Sequence, residues 1–341
     1  MRGGWAGGYL PGGVSVASGR DGLMRCNGPA VVGRLPGMPG VYRFRDACDR
    51  VLYVGRAGVL RRRVASYWSD LGERDHLAAM VARIVRIEAV SCDSAHEAVW
   101  LERNLLETSL PPWNRTRGGQ ESAVYIRLDA GPVKPGLSLA FRAEPEDQAR
   151  YFGPYLGSRR VRHAISALNR LLPLAGLGAR LRGAERELAR VRGFAGGDRM
   201  ARIGSLTAIL DRQPAAVNWA HDQLEQLRDR AARSLAYEFA ARVQGEIEAL
   251  GWVSCPQRAT TMDAVNLTIS GWSRDTLVQF QIRDGRLCGW SQRSSSLASA
   301  APALASTPAA WRNFTQRNAE LAANLTTGHP HTQPPRPQPT S

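Results

Sequence analysis

Lysine is almost missing from this chain. Lys134 is the only one among 45 basic residues, and the rest are arginine. Acidic residues are short too, 30 in all, which leaves a formal charge of +15 at pH 7. That excess fits a protein that meets a polyanion, but an arginine-rich proteome gives the same composition, and charge alone weighs the two evenly. Cysteine is scarce and unpaired. Cys26, Cys48, Cys92, Cys255 and Cys288 are odd in number, and no two stand in a C-x-x-C pair. This argues against a disulfide framework and a zinc ribbon, and a reducing, cytoplasmic setting is expected. No apolar run is long enough to cross a bilayer. The Gly-rich start, Met1 to Gly33, lacks the apolar core of a secretory signal.

What is present points to an α+β chain. Its 341 residues allow two or three small domains, and the 43% that are apolar can build their cores. Residues 1–32 read as a flexible Gly-rich lead and 33–120 as a compact mixed α/β unit. A connecting segment, 121–178, reads as a strand, a polar loop and a helix. Residues 179–252 are charged, with apolar residues at helical spacing. Alternation returns in 253–293, as in Val278-Gln279-Phe280-Gln281-Ile282-Arg283 ahead of the turn Asp284-Gly285. The remaining 294–341, rich in Ser, Ala, Thr and Pro, are expected to be disordered.

Within 33–120, two short strands, Val41–Arg45 and Arg50–Gly55, flank Asp46-Ala47-Cys48-Asp49, a loop length that suits a hairpin. With Arg45 opposite Arg50, Tyr42 falls opposite Tyr53 and two phenols share one face. Aromatic residues that merely favour strands would give the same pattern. A helix is expected from Val59 to Trp68, with Leu60, Arg63, Val64 and Tyr67 on one side. A guanidinium in that stripe needs a carboxylate or phosphate, unless it snorkels to water. Arg61 and Arg62 read as surface charge. Ser94-Ala95-His96-Glu97 is a capping box that opens the next helix. Glu102 lies inside its apolar stripe of Ala95, Ala98, Val99, Leu105 and Leu106. A carboxylate there must be paired, protonated or metal-bound, and Arg63 is the internal partner to expect. Asn114, after Pro111-Pro112-Trp113, is on local grounds an ordinary turn residue.

Taken in order, Pro39-Gly40-Val41-Tyr42, Val51-Leu52-Tyr53-Val54-Gly55-Arg56-Ala57, Leu101-Glu102-Arg103-Asn104-Leu105 and Pro112-Trp113-Asn114 resemble the GIY-YIG nuclease domain of the excinuclease UvrC family. The resemblance implies a small GIY-YIG α/β domain in which Glu102 holds one divalent metal, Mg²⁺ or Mn²⁺. It makes Arg63 the phosphate clamp and gives Tyr42 and Tyr53 the attacking water to orient or deprotonate. Asn114 and Tyr67 would support the site, and Gly55 would let the backbone turn close to it. Arg56 stands where the family typically has lysine, a cation of different proton chemistry. Trp113 replaces a tyrosine.

The likeness continues through Tyr151-Phe152-Gly153-Pro154-Tyr155 and the helix that follows. Family members often then carry a cysteine cluster for an iron–sulfur centre. Here no cysteine lies between Cys92 and Cys255, so no such cluster is expected. Leu227 to Ala241 resembles the UVR motif, a helical hairpin that in the family contacts UvrB, with Leu235, Tyr237 and Phe239 as the implied partner-binding residues. Gln244-Gly245 departs from the usual Arg-Asp, and a hairpin packing only on its own domain is the plainer reading. No counterpart of the family's second nuclease half is seen. The resemblance is therefore to the Cho-type single-nuclease homologues, with damaged double-stranded DNA as substrate and a cut only 3′ to the lesion. Two alternatives stand beside this: a weakly active or inactive module that binds UvrB or DNA, and a nuclease outside repair.

Overall fold

The structure, a computed structural model, describes residues 28–69, 77–116, 122–132, 135–144, 148–174 and 199–326. Asp46 organises the first hairpin. Its Oδ1 accepts from the backbone N–H groups of Cys48 and Arg50, both at 3.0 Å. Strands β1 (Gly40–Arg45) and β2 (Val51–Ala57) pair antiparallel, with Tyr42 opposite Gly55 and Phe44 opposite Tyr53. The expected pairing of Tyr42 with Tyr53 is therefore wrong by two residues. Arg50 is drawn into the turn, so Arg45 pairs with Val51, and Leu52 is an extra bulged residue. Each change moves the register by one. A slip of two keeps every side chain on its face, so the phenols are still neighbours.

Strand β3 (Arg86–Ser91) adds to the other side of β1, giving the order β2-β1-β3. One face of this sheet carries Tyr42, Phe44 and Tyr53. It is covered by α1 (Gly28–Val32), α2 (Leu60–Ala65) and α3 (Ala78–Val81), which add Val31, Val32, Leu60, Val64 and Met80 to the core. The α1 segment was expected to be part of a flexible lead, but Val31 and Val32 are buried apolar residues that fix it. Residues 1–27 lie outside the described residues. Helix α2 is shorter than expected. Tyr67 and Trp68 bond back three residues, to Val64 and Ala65, and tighten its end into turns.

The opposite face packs Val41, Val54 and Val90 on α4 (Ala95–Thr108) through Ala98, Leu101 and Leu105. Ser94 caps α4 by accepting from the Glu97 N–H at 3.0 Å. The buried Glu97 carboxylate accepts from the backbone of Asp93 and Arg258, not of Ser94, so the box is only half made.

Beyond it, β4 (Ala123–Asp129), β5 (Gly136–Ala140) and β6 (Arg150–Leu156) form a second antiparallel sheet, ordered β5-β4-β6. The expected single strand and polar loop are thus three strands. Among the described residues, four helices share the core of this sheet: α5 (Ser158–Leu171), α6 (Arg199–Leu210), α7 (Pro214–Arg233) and α8 (Tyr237–Ser254). Glu246 of α8, almost fully buried, accepts from Ser166 and Arg170 of α5 at 2.6 to 2.8 Å. Among the described residues no helix is long and apolar enough to cross a membrane.

The last sheet is a meander of β7 (Leu267–Ser273), β8 (Thr276–Arg283) and β9 (Arg286–Ser294). Two helices follow, α9 (Leu297–Ala305) and α10 (Ala309–Thr326), where disorder was expected over 294–341. Ser296 caps α9. Phe314, Ala319 and Ala322 of α10 enter the core that Phe280, Trp290 and Val90 also share. Alanine, which made this stretch look like low complexity, is the strongest helix former and lets α10 pack closely. Gly271 permits that approach, since a Cβ there would lie 2.1 Å from the Thr315 carbonyl oxygen. Residues 327–341, the remainder of that expectation, lie outside the described residues.

Both edges of the first sheet are closed by an asparagine. Asn114 accepts from the Val54 N–H at 2.9 Å and donates to the Val54 carbonyl at 2.8 Å on the β2 edge. Asn318 of α10 does the same for Ser91 on the β3 edge, at 2.8 and 3.2 Å. A carboxamide offers the donor and acceptor of one peptide unit, so each stands in for a missing strand and blunts an exposed edge.

Candidate active site

Three tyrosines meet under the β2 edge. Tyr42 and Tyr67 are buried, and their hydroxyls are 2.8 Å apart. Tyr53 hydrogen-bonds to Tyr67 as well. The three rings form a triangle with centroids 6.0 to 6.2 Å apart. Phe44 packs against all three of them and is in turn braced by Trp68. Burial pushes the Tyr42 phenol well up, and Tyr67 and Tyr53 add to it while Arg63 pulls the other way. Tyr53 is raised by the same causes, burial first, with the charge of Glu102 contributing. Raised in this way, the hydroxyls stay protonated at neutral pH and can donate and accept hydrogen bonds.

Gly55 makes this arrangement possible. A Cβ there would stand 2.6 Å from the Tyr42 hydroxyl oxygen and 2.7 Å from the Tyr53 ring. Tyr42 has no room to retreat, because its side chain is fully buried. Gly55→Ala is expected to destabilise the fold by about 1–3 kcal/mol through overpacking. The check is a lower urea midpoint at unchanged slope; an unchanged midpoint would mean that the tyrosines can shift freely.

Arg63 projects from α2 into the tyrosines. It donates to Tyr42 and lies 5.4 Å from the centre of the Tyr67 ring. Partial burial alone would lower its pKa, but the tyrosine oxygens outweigh burial and hold it charged. Glu102 lies on α4, its side chain 19% exposed, with Oε2 3.3 Å from Arg56 Nε. Burial raises the Glu102 pKa, against the pull of Arg56 and, more weakly, of Arg63. The expected Arg63 partnership is thus replaced by Arg56. The β2 strand places residue 56 on the α4 face, whereas α2 holds Arg63 on the tyrosine side. Nothing local in the sequence announces that pairing.

Asn114 does not offer its amide to the site. Both ends are bound to Val54, one residue before Gly55, so it positions the strand that carries Gly55 and Arg56. Arg61, read as surface charge, also ties Leu35 through a 2.7 Å bond to its carbonyl. At the turn between α7 and α8, Leu235 and Tyr237 are 69% and 65% exposed. Phe239, expected to join them, instead packs against the domain core, with the Arg170 guanidinium 5.1 Å from its ring. Gln244 accepts from Arg228 at 2.8 Å, a bond within the hairpin.

A divalent metal can be tested against these residues. Among the described residues there is no cluster of three His, Cys, Asp or Glu that could cage an ion. What the site offers is one hard, half-buried carboxylate oxygen pair on Glu102. That suits a magnesium-like ion, which keeps several waters and takes one or two carboxylates plus substrate phosphate. A thiol or imidazole metal is not suited.

A family model described as the UvrC-like GIY-YIG domain matches residues 38–115. The UvrABC system protein C of Symbiobacterium thermophilum is 32% identical over 270 residues, 76% of this chain and 43% of that protein. That of Geobacter metallireducens is 38% identical over 141 residues, 41% of this chain and 23% of that protein. The chain thus spans less than half the length of the curated relatives it matches. Among solved structures, the N-terminal GIY-YIG endonuclease domain of UvrC from Thermotoga maritima, bound to magnesium, is 27% identical. That match covers 25% of this chain and 92% of that one, with a TM-score of 0.23. Residues 38–115 are therefore a GIY-YIG domain of the UvrC family, and similarity to UvrC runs on beyond it through most of the chain.

Proposed function

We infer that the chain is a metal-dependent DNA endonuclease of nucleotide excision repair. It hydrolyses a phosphodiester on the 3′ side of a lesion in double-stranded DNA. The observation that carries this is the convergence of Tyr42, Tyr53, Tyr67 and Arg63 with the half-buried Glu102 around Gly55 and Arg56 of one strand. Glu102 would hold one Mg²⁺ or Mn²⁺, and the bound cation supplies Lewis-acid stabilisation of charge on the phosphate. Arg63, kept charged among the tyrosines, neutralises the developing negative charge. Tyr42 and Tyr53 hold the attacking water by hydrogen bonds, and Tyr67 fixes both hydroxyls. The arginine excess supplies sequence-independent, salt-sensitive contacts to the DNA backbone. Leu235 and Tyr237 at the hairpin tip are the docking residues for UvrB, with Phe239 anchoring the hairpin beneath them. The setting is cytoplasmic, and no iron–sulfur cluster is involved.

A second reading, an inactive module that binds UvrB or DNA, draws on two observations. The carboxylate of Glu102 is already paired with Arg56, and Gln244 is turned to an internal bond. The deciding experiment uses a duplex with one bulky adduct, incubated with the protein, Mg²⁺ or Mn²⁺, with and without UvrB. A single metal-dependent cut 3′ to the adduct is expected. UvrB binding without a cut in either metal would select the second reading.

A further inference from the structure

Arg56 spends its side chain on the carboxylate that the proposed reaction needs. Its Nε lies 3.3 Å from Glu102 Oε2, and the side chains are 46% and 19% exposed. Arg56 is therefore the partner that water reaches and that can leave. Its backbone N–H also favours the charged form of the Glu102 carboxylate. A guanidinium and a divalent cation on one carboxylate repel each other and draw on the same negative charge, so each weakens the hold of the other.

We propose that Arg56 is an internal competitor for the divalent cation, pairing with Glu102 until the cation displaces it and then turning to the DNA phosphate. This rests on the reading of Glu102 as the metal ligand. Two consequences follow from reciprocity of linked binding. Free protein binds the cation weakly, because each binding event must break the ion pair. DNA tightens cation binding, because a phosphate gives the released guanidinium another anion. Cation and substrate therefore each favour the binding of the other.

The test is direct Mn²⁺ binding, followed by electron paramagnetic resonance of the free ion, for the full chain and its variants. Without DNA, Arg56→Ala and Arg56→Gln are expected to bind Mn²⁺ roughly two- to fivefold more tightly than the unaltered protein, the range for losing a partly exposed ion pair. A short duplex should tighten Mn²⁺ binding to the unaltered protein and have a much smaller effect on either variant. A residue with a merely structural role would weaken binding when removed. Equal or weaker Mn²⁺ binding by both variants overturns the proposal. Glu102→Gln runs beside them. If it binds Mn²⁺ as the unaltered protein does, the assignment of Glu102 as ligand falls, whatever the Arg56 variants show.

Discussion

Glu102→Gln is expected to lower the incision rate by roughly 10³-fold or more at any metal concentration, since it removes the anionic oxygen that a hard cation requires. The replacement has almost the same shape, so the helix stripe of Ala98, Leu101 and Leu105 keeps its packing. Stability should not fall. Burial raises the pKa of Glu102, so the folded state holds its charge at a cost that the neutral amide does not carry. At neutral pH the variant is therefore expected to melt at the same temperature as the unaltered protein or slightly higher. Any gain should shrink as pH falls and Glu102 takes up its proton. Single-turnover incision, a gel shift on uncut duplex and a melting curve together check this. Normal cutting would remove Glu102 from the metal site. Unfolding would show that the pair with Arg56 is structural instead.

The largest expected loss of stability comes from Glu88→Gln, about 3–5 kcal/mol, the range for breaking a buried ion pair from one side. Glu88 is fully buried on β3 beneath three arginines. Arg43 bonds its Oε2, Arg45 Nε lies 3.0 Å from the same atom, and Arg86 Nη2 lies 2.9 Å from Oε1. Arg43 also stacks on Trp290 of β9, its guanidinium carbon 3.9 Å from the ring centre, and so faces the last sheet. Burial draws the Arg43 pKa down to about 10 even with Glu88 beside it. Without the carboxylate, three guanidinium groups would crowd one another with little water to separate them. For Glu88 itself, burial acts to raise the pKa, but Arg43, Arg45 and Arg86 outweigh it and the net shift is downward. A lowered acid stabilises the fold above its unfolded pKa and stops doing so as pH falls through its folded pKa. The gap in melting temperature between the unaltered protein and Glu88→Gln should therefore be full at pH 7 and close only in the acid range below the ordinary glutamate value. A gap that is constant across pH would mean that the loss comes from packing rather than charge.

What could be read from sequence was what short windows carry. A hairpin-length loop marked β1 and β2, alternation marked β8, the Ser94 cap marked the start of α4, and Glu102 betrayed itself as a charge within an apolar stripe. The tyrosine cluster survived a wrong register because side-chain direction in a strand repeats every two residues. Arrangements set by distant partners could not be read this way. Asn114 looked like a turn residue because its partner, Val54, is 60 positions away. The pairing of Arg56 with Glu102 depends on how β2 lies across α4, which no local pattern specifies. The Ala- and Ser-rich stretch before residue 327 has helical propensity, but its apolar side chains gain a purpose only against Gly271, Phe280 and Val90. Composition alone therefore favoured disorder, and tertiary contact decided otherwise.

The amide clamp on the β3 edge joins Ser91 to a residue 227 positions later. On a ribosome that adds about 5–20 residues per second, the strand emerges roughly ten to forty-five seconds before the helix that closes it. Throughout that interval the first domain has an open edge and an uncovered apolar face, the conditions under which nascent chains pair with one another. The Asn114 clamp, made from within the first domain, closes the opposite edge early. A pause in translation after the first domain should therefore promote aggregation along one edge of its sheet only, and the yield of native protein should depend on how fast the last helix is delivered.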